Sequence, residues 1–223
     1  MSEADQLSLK AHRLFIGTLG LLMPALIWLL AGVRPTPGLA RWEPQWSVSA
    51  YYYTGAVGVF VGVLFALALF LFSYQGYKGV KADRIVGFIG GLAALFVALF
   101  PTAPPTGFPA PPWWGETTAV IHYFAAVVLF ISFILFAIWL FRRSDKRRRR
   151  DRDREKNFRN DICLACGLVM IACVLWAAVA KYMVQPIFWP ESIAIIAFAV
   201  SWLAKGEALT PIFRRLDRRG PPP

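Results

Sequence analysis

Charge is scarce in this chain, and so are histidine and cysteine. Of 223 residues only 17% are charged while 57% are hydrophobic, a balance that excludes an ordinary water-soluble domain. A catalytic zinc site wants three protein ligands, usually rich in histidine. The chain has two histidines, His12 and His122, and no zinc site is expected. They fall on opposite membrane faces in the topology derived below, which also argues against a bis-histidine haem. The three cysteines, Cys163, Cys166 and Cys173, share one helical stripe near a cytoplasmic helix end. That compartment is reducing, so packing rather than a disulfide framework is their expected role. No acidic residue falls at the centre of an apolar run, which disfavours an ion-coupled pump. No metal and no cofactor are expected.

What the chain does have is hydrocarbon in long runs. Segments of about 17 to 25 apolar residues cross roughly 30 Å of bilayer core as helices, and six candidate runs occur, the third of them short: Leu14 to Val33, Gly55 to Tyr74, Ile85 to Phe100, Ala119 to Phe141, Ile162 to Ala180 and Ile187 to Ala204. The expected fold class is therefore all-α, a polytopic membrane protein built as a bundle of six transmembrane helices. Residues 1–13 form a cytoplasmic N-terminal segment, 142–161 a basic cytoplasmic loop and 205–223 a basic cytoplasmic tail. The first run is too long, and too poorly followed by an Ala-x-Ala-type site, for a cleaved signal peptide.

Lysine and arginine accumulate on the cytoplasmic side of short loops. With the N-terminus inside, 21 of the 24 basic residues lie on that side, leaving Arg34, Arg41 and Lys181 outside. Both termini are then cytoplasmic. The net charge of +11 comes largely from RRSDKRRRRDRDREKNFR, a loop between two spans. Its expected partners are anionic lipid headgroups rather than nucleic acid, each basic residue contributing about 1 kcal/mol, with Arg142, Arg143, Arg147 and Arg148 as candidate contacts. The interleaved acids weaken this field and form i,i+4 pairs if the flanking helices continue into the cytoplasm. Protein partners cannot be read from the chain.

Two spans carry Gly-x-x-x-Gly, at Gly58/Gly62 and Gly87/Gly91, the spacing that lets helix backbones approach closely; Gly17 and Gly20 are expected to act alike, and Pro24 to kink the first helix. Trp42, Trp46, Trp113, Trp114 and Trp189 belong to the outer interface, Trp139 and Trp202 to the inner one. The proline-rich outer loop PTAPPTGFPAPPWWGETT reads as an extended, partly rigid cover.

The candidate chemistry lies on the outer side. WSVSAYYYTG, residues 46–55, alternates so that Ser47, Ser49, Tyr51 and Tyr53 face one way along an extended segment, with Tyr52 left as an interface anchor. His122 lies about one turn inside the fourth run. Glu191 opens the sixth, where a carboxylate is favoured by the helix dipole. Ionisable groups in spans are candidates for function, so Ser47, Ser49, Tyr51, Tyr53, His122 and Glu191 are the candidate ligand-binding residues. Ser49, His122 and Glu191 are also the residue types of a nucleophile, base and acid, without the local signature of a nucleophile elbow.

The succession SVSAYYYTGAVGVFVGVLFAL, IHYFAA and FWPESIAIIAFAVSWLAKGE resembles a group of uncharacterised bacterial six-helix membrane proteins. The architecture is distantly similar to the FRAG/DRAM/SFK family, whose members have six helices and a polar first outer loop leading into helix two. The proline-rich second outer loop departs from that pattern. The resemblance implies a lipid-related role in a bacterial inner membrane and carries over no catalytic residue. The leading expectation is a non-enzymatic protein that binds or senses a lipid or small amphiphile at the outer face. An intramembrane hydrolase or transferase, and a lipid or small-molecule transporter, remain as alternatives.

Overall fold

The computed structural model describes residues 3–76, 81–106, 108–143 and 154–211. They form six helices, α1 (Glu3–Val33), α2 (Val57–Ser73), α3 (Lys81–Leu99), α4 (Glu116–Leu135), α5 (Arg154–Tyr182) and α6 (Phe188–Lys205). A 3₁₀ turn at Ser49–Tyr53 precedes α2, and α4 runs on through a π turn at Phe136–Leu140. No strand occurs among the described residues. Five of the helices are long and apolar enough to cross a membrane, and α2 is a shorter apolar helix of 17 residues, about 25 Å at the α-helical rise.

Each helix packs on its chain neighbours, and α6 returns to pack on α1, so the six close into a ring. One end of the ring is rich in loops and carries residues 34–56, 100–106, 108–115 and 183–187. The other carries Lys10, Arg13, Lys81, Arg84, Arg142 and Lys205. At this basic end α1 and α5 extend well past their apolar runs. Arg159 pairs with Glu155 one turn earlier at 3.2 Å and with Glu207 at 3.1 Å, and Lys10 reaches Glu207 at 2.5 Å. Partial burial opposes ionisation of Glu207, but Lys10 and Arg159 outweigh it and hold the carboxyl below its usual range.

Close backbone approach occurs at only some of the glycines that the spacing nominated. A side chain at Gly87 or Gly91 would run into the backbone carbonyls of Leu71 and Ala68 at 2.9 and 3.0 Å, and one at Gly17 into Leu203, so these residues seat α3 on α2 and α1 on α6. Gly58 and Gly62 face open space. Their spacing matches the motif, but their face of α2 meets no neighbour.

Trp202 also differs from its expected place at an interface. It is fully buried, with Tyr74, Phe136 and Phe141 around it at ring separations of 4.9–5.0 Å. Arg13, 5% exposed, closes this aromatic layer at the basic end by donating to the Tyr74 hydroxyl at 3.2 Å and the Lys205 carbonyl at 3.4 Å. Trp139 stays half exposed with Arg143 stacked on its ring at 3.9 Å, a cation–π arrangement at the helix end.

Two helices end in the same hydrogen-bonding pattern, and neither uses glycine for it. After α5, Val184 N–H donates to Lys181 C=O and Gln185 N–H to Ala180 C=O. After α6, Glu207 N–H donates to Ala204 C=O and Ala208 N–H to Leu203 C=O. These are Schellman caps whose turning residue takes a left-handed conformation, with φ of 53° at Val184 and 67° at Glu207. Glu207 carries the ion pairs described above. Val184 is 73% exposed and gains little in return for a conformation that costs about 1–2 kcal/mol with a Cβ. Val184→Gly is therefore expected to stabilise the protein by about 1 kcal/mol, a rise of roughly 2–4 °C in detergent thermal unfolding. An unchanged or lower midpoint would contradict the strain assigned to Val184.

Candidate functional site

The segment before α2 folds back on the start of α6, and the bonds run both ways. Ile187 and Phe188 N–H donate to the Trp46 carbonyl at 2.7 and 3.0 Å, which satisfies donors that the first turn of a helix leaves unpaired. Val48 N–H donates to Glu191 Oε2 at 2.7 Å. This is the reciprocity of a capping box, assembled here between segments distant in the chain. Pro190 sits in the same first turn, where its missing N–H costs nothing.

Beyond Val48 the chain forms a 3₁₀ turn rather than the expected extended segment. Three residues per turn replace the two-residue alternation, so the four hydroxyls diverge. Ser47 is buried and accepts from Ala50 N–H at 3.1 Å, holding the turn itself. Tyr51 is fully buried against Phe188, and its hydroxyl meets Gln45 N–H at 3.4 Å. Tyr53 donates to the Thr102 carbonyl at 2.6 Å. Burial, with Tyr52 and Tyr123 beside it, pushes the Tyr53 hydroxyl up to about 12, and burial raises Tyr51 as well. Both remain protonated at neutral pH. Tyr52, expected as an anchor, is half-buried with its ring edge-on to Tyr53.

Ser49 points elsewhere. Its Oγ lies 2.9 Å from His122 Nε2, and His122 Nδ1 lies 2.7 Å from the Phe100 carbonyl. A carbonyl can only accept, so Nδ1 carries the proton, and in the neutral ring Nε2 accepts from the Ser49 hydroxyl. The Phe100 carbonyl is free because Pro101 ends α3, leaving last-turn acceptors without helical partners. Around this pair Thr102 donates to the Tyr123 hydroxyl at 2.9 Å, and Lys181 sits 3.4 Å above the Tyr123 ring.

Under this roof lies an apolar cavity of about 50 Å³. Ser49 and Glu191 line it at the loop-rich end, and Met23, Leu64, Leu129 and Phe130 line it within the bundle. Phe133 and Phe198, also in its wall, stack at 3.5 Å between ring centres and separate the cavity from the Trp202 layer. Helices α1, α2, α3, α4 and α6 contribute to the wall, and α5 does not. The roof is the segment through Val48 and Ser49. The proline-rich loop, expected as the cover, supplies none of the lining residues among its described positions.

Of the candidate residues, Ser49 and Glu191 line the cavity and His122 stands behind Ser49, while Ser47, Tyr51 and Tyr53, like His122, lie outside its lining. Sequence reasoning missed the Phe100 carbonyl and Thr102, although the Phe-Pro junction that frees that carbonyl is visible in the chain. It also missed the apolar lining, which is composed of ordinary span residues. At the basic end Arg142 turns back to the Ile138 carbonyl at 3.5 Å, and Arg143 lies on Trp139. Arg147 and Arg148 lie outside the described residues. The three cysteines are buried, and the Cys163 thiol approaches the Ser201 carbonyl at 3.7 Å.

Removal of the Glu191 carboxylate leaves the Val48 N–H without its acceptor. Glu191→Ala is expected to speed amide hydrogen exchange at Val48 by about 5- to 150-fold, the factor corresponding to the ~1–3 kcal/mol of an orphaned buried donor. Exchange as slow as in the wild type would mean that the roof is held by something else.

Residues 45–205 match a family described as protein of unknown function (DUF998). No curated protein and no solved structure matches the chain.

Proposed function

The chain belongs to the DUF998 family, whose description assigns no role, and from the cavity we propose that it is a membrane protein that binds or senses a lipid or small amphiphile. The observation that carries this reading is the polarity of the cavity: apolar along its length, with a hydroxyl and a carboxylate at one end only. An amphiphile has the same division. About 50 Å³ gives room for roughly three to five water-sized groups, and an apolar wall favours a hydrocarbon over water there. The end of an acyl chain fits as the structure stands; a longer chain needs more room than this. Because α5 is absent from the wall and Ala126 and Phe130 of α4 and Ile195 of α6 are only half-buried, the wall is least covered on the side of α4 and α6, and access is placed on that side.

The placement in the membrane follows the same proposal. Six spans, with α2 as the shortest, put both termini and the basic end in the cytoplasm of a bacterial inner membrane, where Arg142, Arg143, Arg147 and Arg148 contact anionic headgroups. The cavity roof then faces outward, which agrees with the resemblance to the FRAG/DRAM/SFK family. In a variant with the three cysteines replaced by alanine, Met183→Cys is expected to react from outside intact cells with a membrane-impermeant maleimide. Protection of that cysteine until the cells are opened would reverse the orientation.

Binding itself is tested by native mass spectrometry of the purified protein. Wild type is expected to retain a copurified amphiphile, and Ala126→Phe, which projects a ring from the half-buried wall into the cavity, to lose most of it. Equal retention by a folded variant would place the amphiphile elsewhere and sink the cavity reading.

A further inference from the structure

The Ser49 and His122 pair does more than a binding pocket requires. A hydroxyl that only oriented a headgroup would need no base behind it, and a histidine that only braced the roof would not need to present its accepting nitrogen to a cavity-lining serine. Ser49 lines the cavity, while His122, 2% exposed, stands directly behind it. The Phe100 carbonyl fixes the ring tautomer from the far side, the orienting role that a third group plays in an activated nucleophile. Here that group is neutral, so it directs the imidazole without an added negative charge. The Glu191 carboxylate is engaged by Val48 N–H and lies at the same rim.

We propose that Ser49 is a nucleophile and His122 its general base, in acyl transfer from a carboxylic ester whose acyl chain reaches into the cavity. This rests on the amphiphile-binding reading and assigns it a substrate class. Ser49 Oγ adds to the ester carbonyl carbon as its proton passes to His122 Nε2. The tetrahedral adduct then expels the alcohol portion, which leaves with that proton, so one C–O bond forms and another breaks. Water, or a second alcohol, repeats the sequence on the acyl-serine: it gives its proton to His122, takes the acyl group, and Ser49 recovers its hydrogen. No electrons change hands.

The test uses the full-length protein in detergent and a long-chain alkyl fluorophosphonate, in which the serine oxygen displaces fluoride from phosphorus. Peptide mass mapping of the wild type is expected to place the adduct on Ser49. Ser49→Ala should remain unlabelled, and His122→Gln should be labelled roughly a hundredfold more slowly, the contribution of a general base. Mapping the wild type keeps the result independent of how well either variant folds. The retained amphiphile is measured on the same sample by native mass spectrometry. Retention without an adduct on Ser49, or with the adduct on another residue, overturns the nucleophile assignment and leaves binding standing. Neither retention nor adduct overturns both.

Discussion

The two-way clasp between the Trp46–Val48 backbone and the first turn of α6 is the constraint on which the loop-rich end depends. Burying a helix start away from water requires acceptors for its free N–H groups, and burying a returning loop requires partners for its own amides. Here each segment supplies what the other lacks. The Trp46 carbonyl takes two donors of the helix, and the Glu191 carboxylate takes the Val48 donor. Once Val48 is held, the 3₁₀ turn must begin where it does, and Ser49 comes to face His122. The roof of the cavity and the position of its hydroxyl are consequences of helix capping.

Below that roof the bundle changes character in layers. The apolar cavity comes first, then the stacked Phe133 and Phe198, then Trp202 with Tyr74, Phe136 and Phe141, and finally Arg13. Large rigid rings fill the basic half, where α3 sits close on α2 and α1 on α6, while Gly20, Met23, Val97 and Ala126 line the space in the other half. The asymmetry follows from which side chains point inward at each level. It makes one end of the bundle a plug and the other a vessel.

The apolar helices were legible because a run of apolar residues long enough for the bilayer is a strong signal in a single chain. The gathering of Ser49, His122 and Glu191 was partly legible, since topology alone carries them to one face. Their partners were not. Whether five residues from Ser49 to Tyr53 run extended or as a 3₁₀ turn depends on the Val48 bond to a residue far along the chain, and no local pattern contains it. The glycine spacings of α2 and α3 are identical in sequence, yet only α3's faces a neighbour, because rotation of a helix about its axis is set by packing. Trp202 looked like an interface residue from its depth along α6; its angular position, which turns it inward, decided otherwise. Fold class therefore came from composition, while the details of the site came from contacts between segments that composition does not relate.

The absence of α5 from the cavity wall has a consequence for how occupancy would be set. On the proposed reading, a ligand that enters from the side of α4 and α6 comes from within the bilayer, so what would fill the cavity is its mole fraction among the surrounding lipids rather than its concentration in water. Such a protein would answer to membrane composition directly. A sparingly soluble amphiphile, present in the aqueous phase at negligible levels, would then saturate it as readily as a soluble one, provided the bilayer had taken it up.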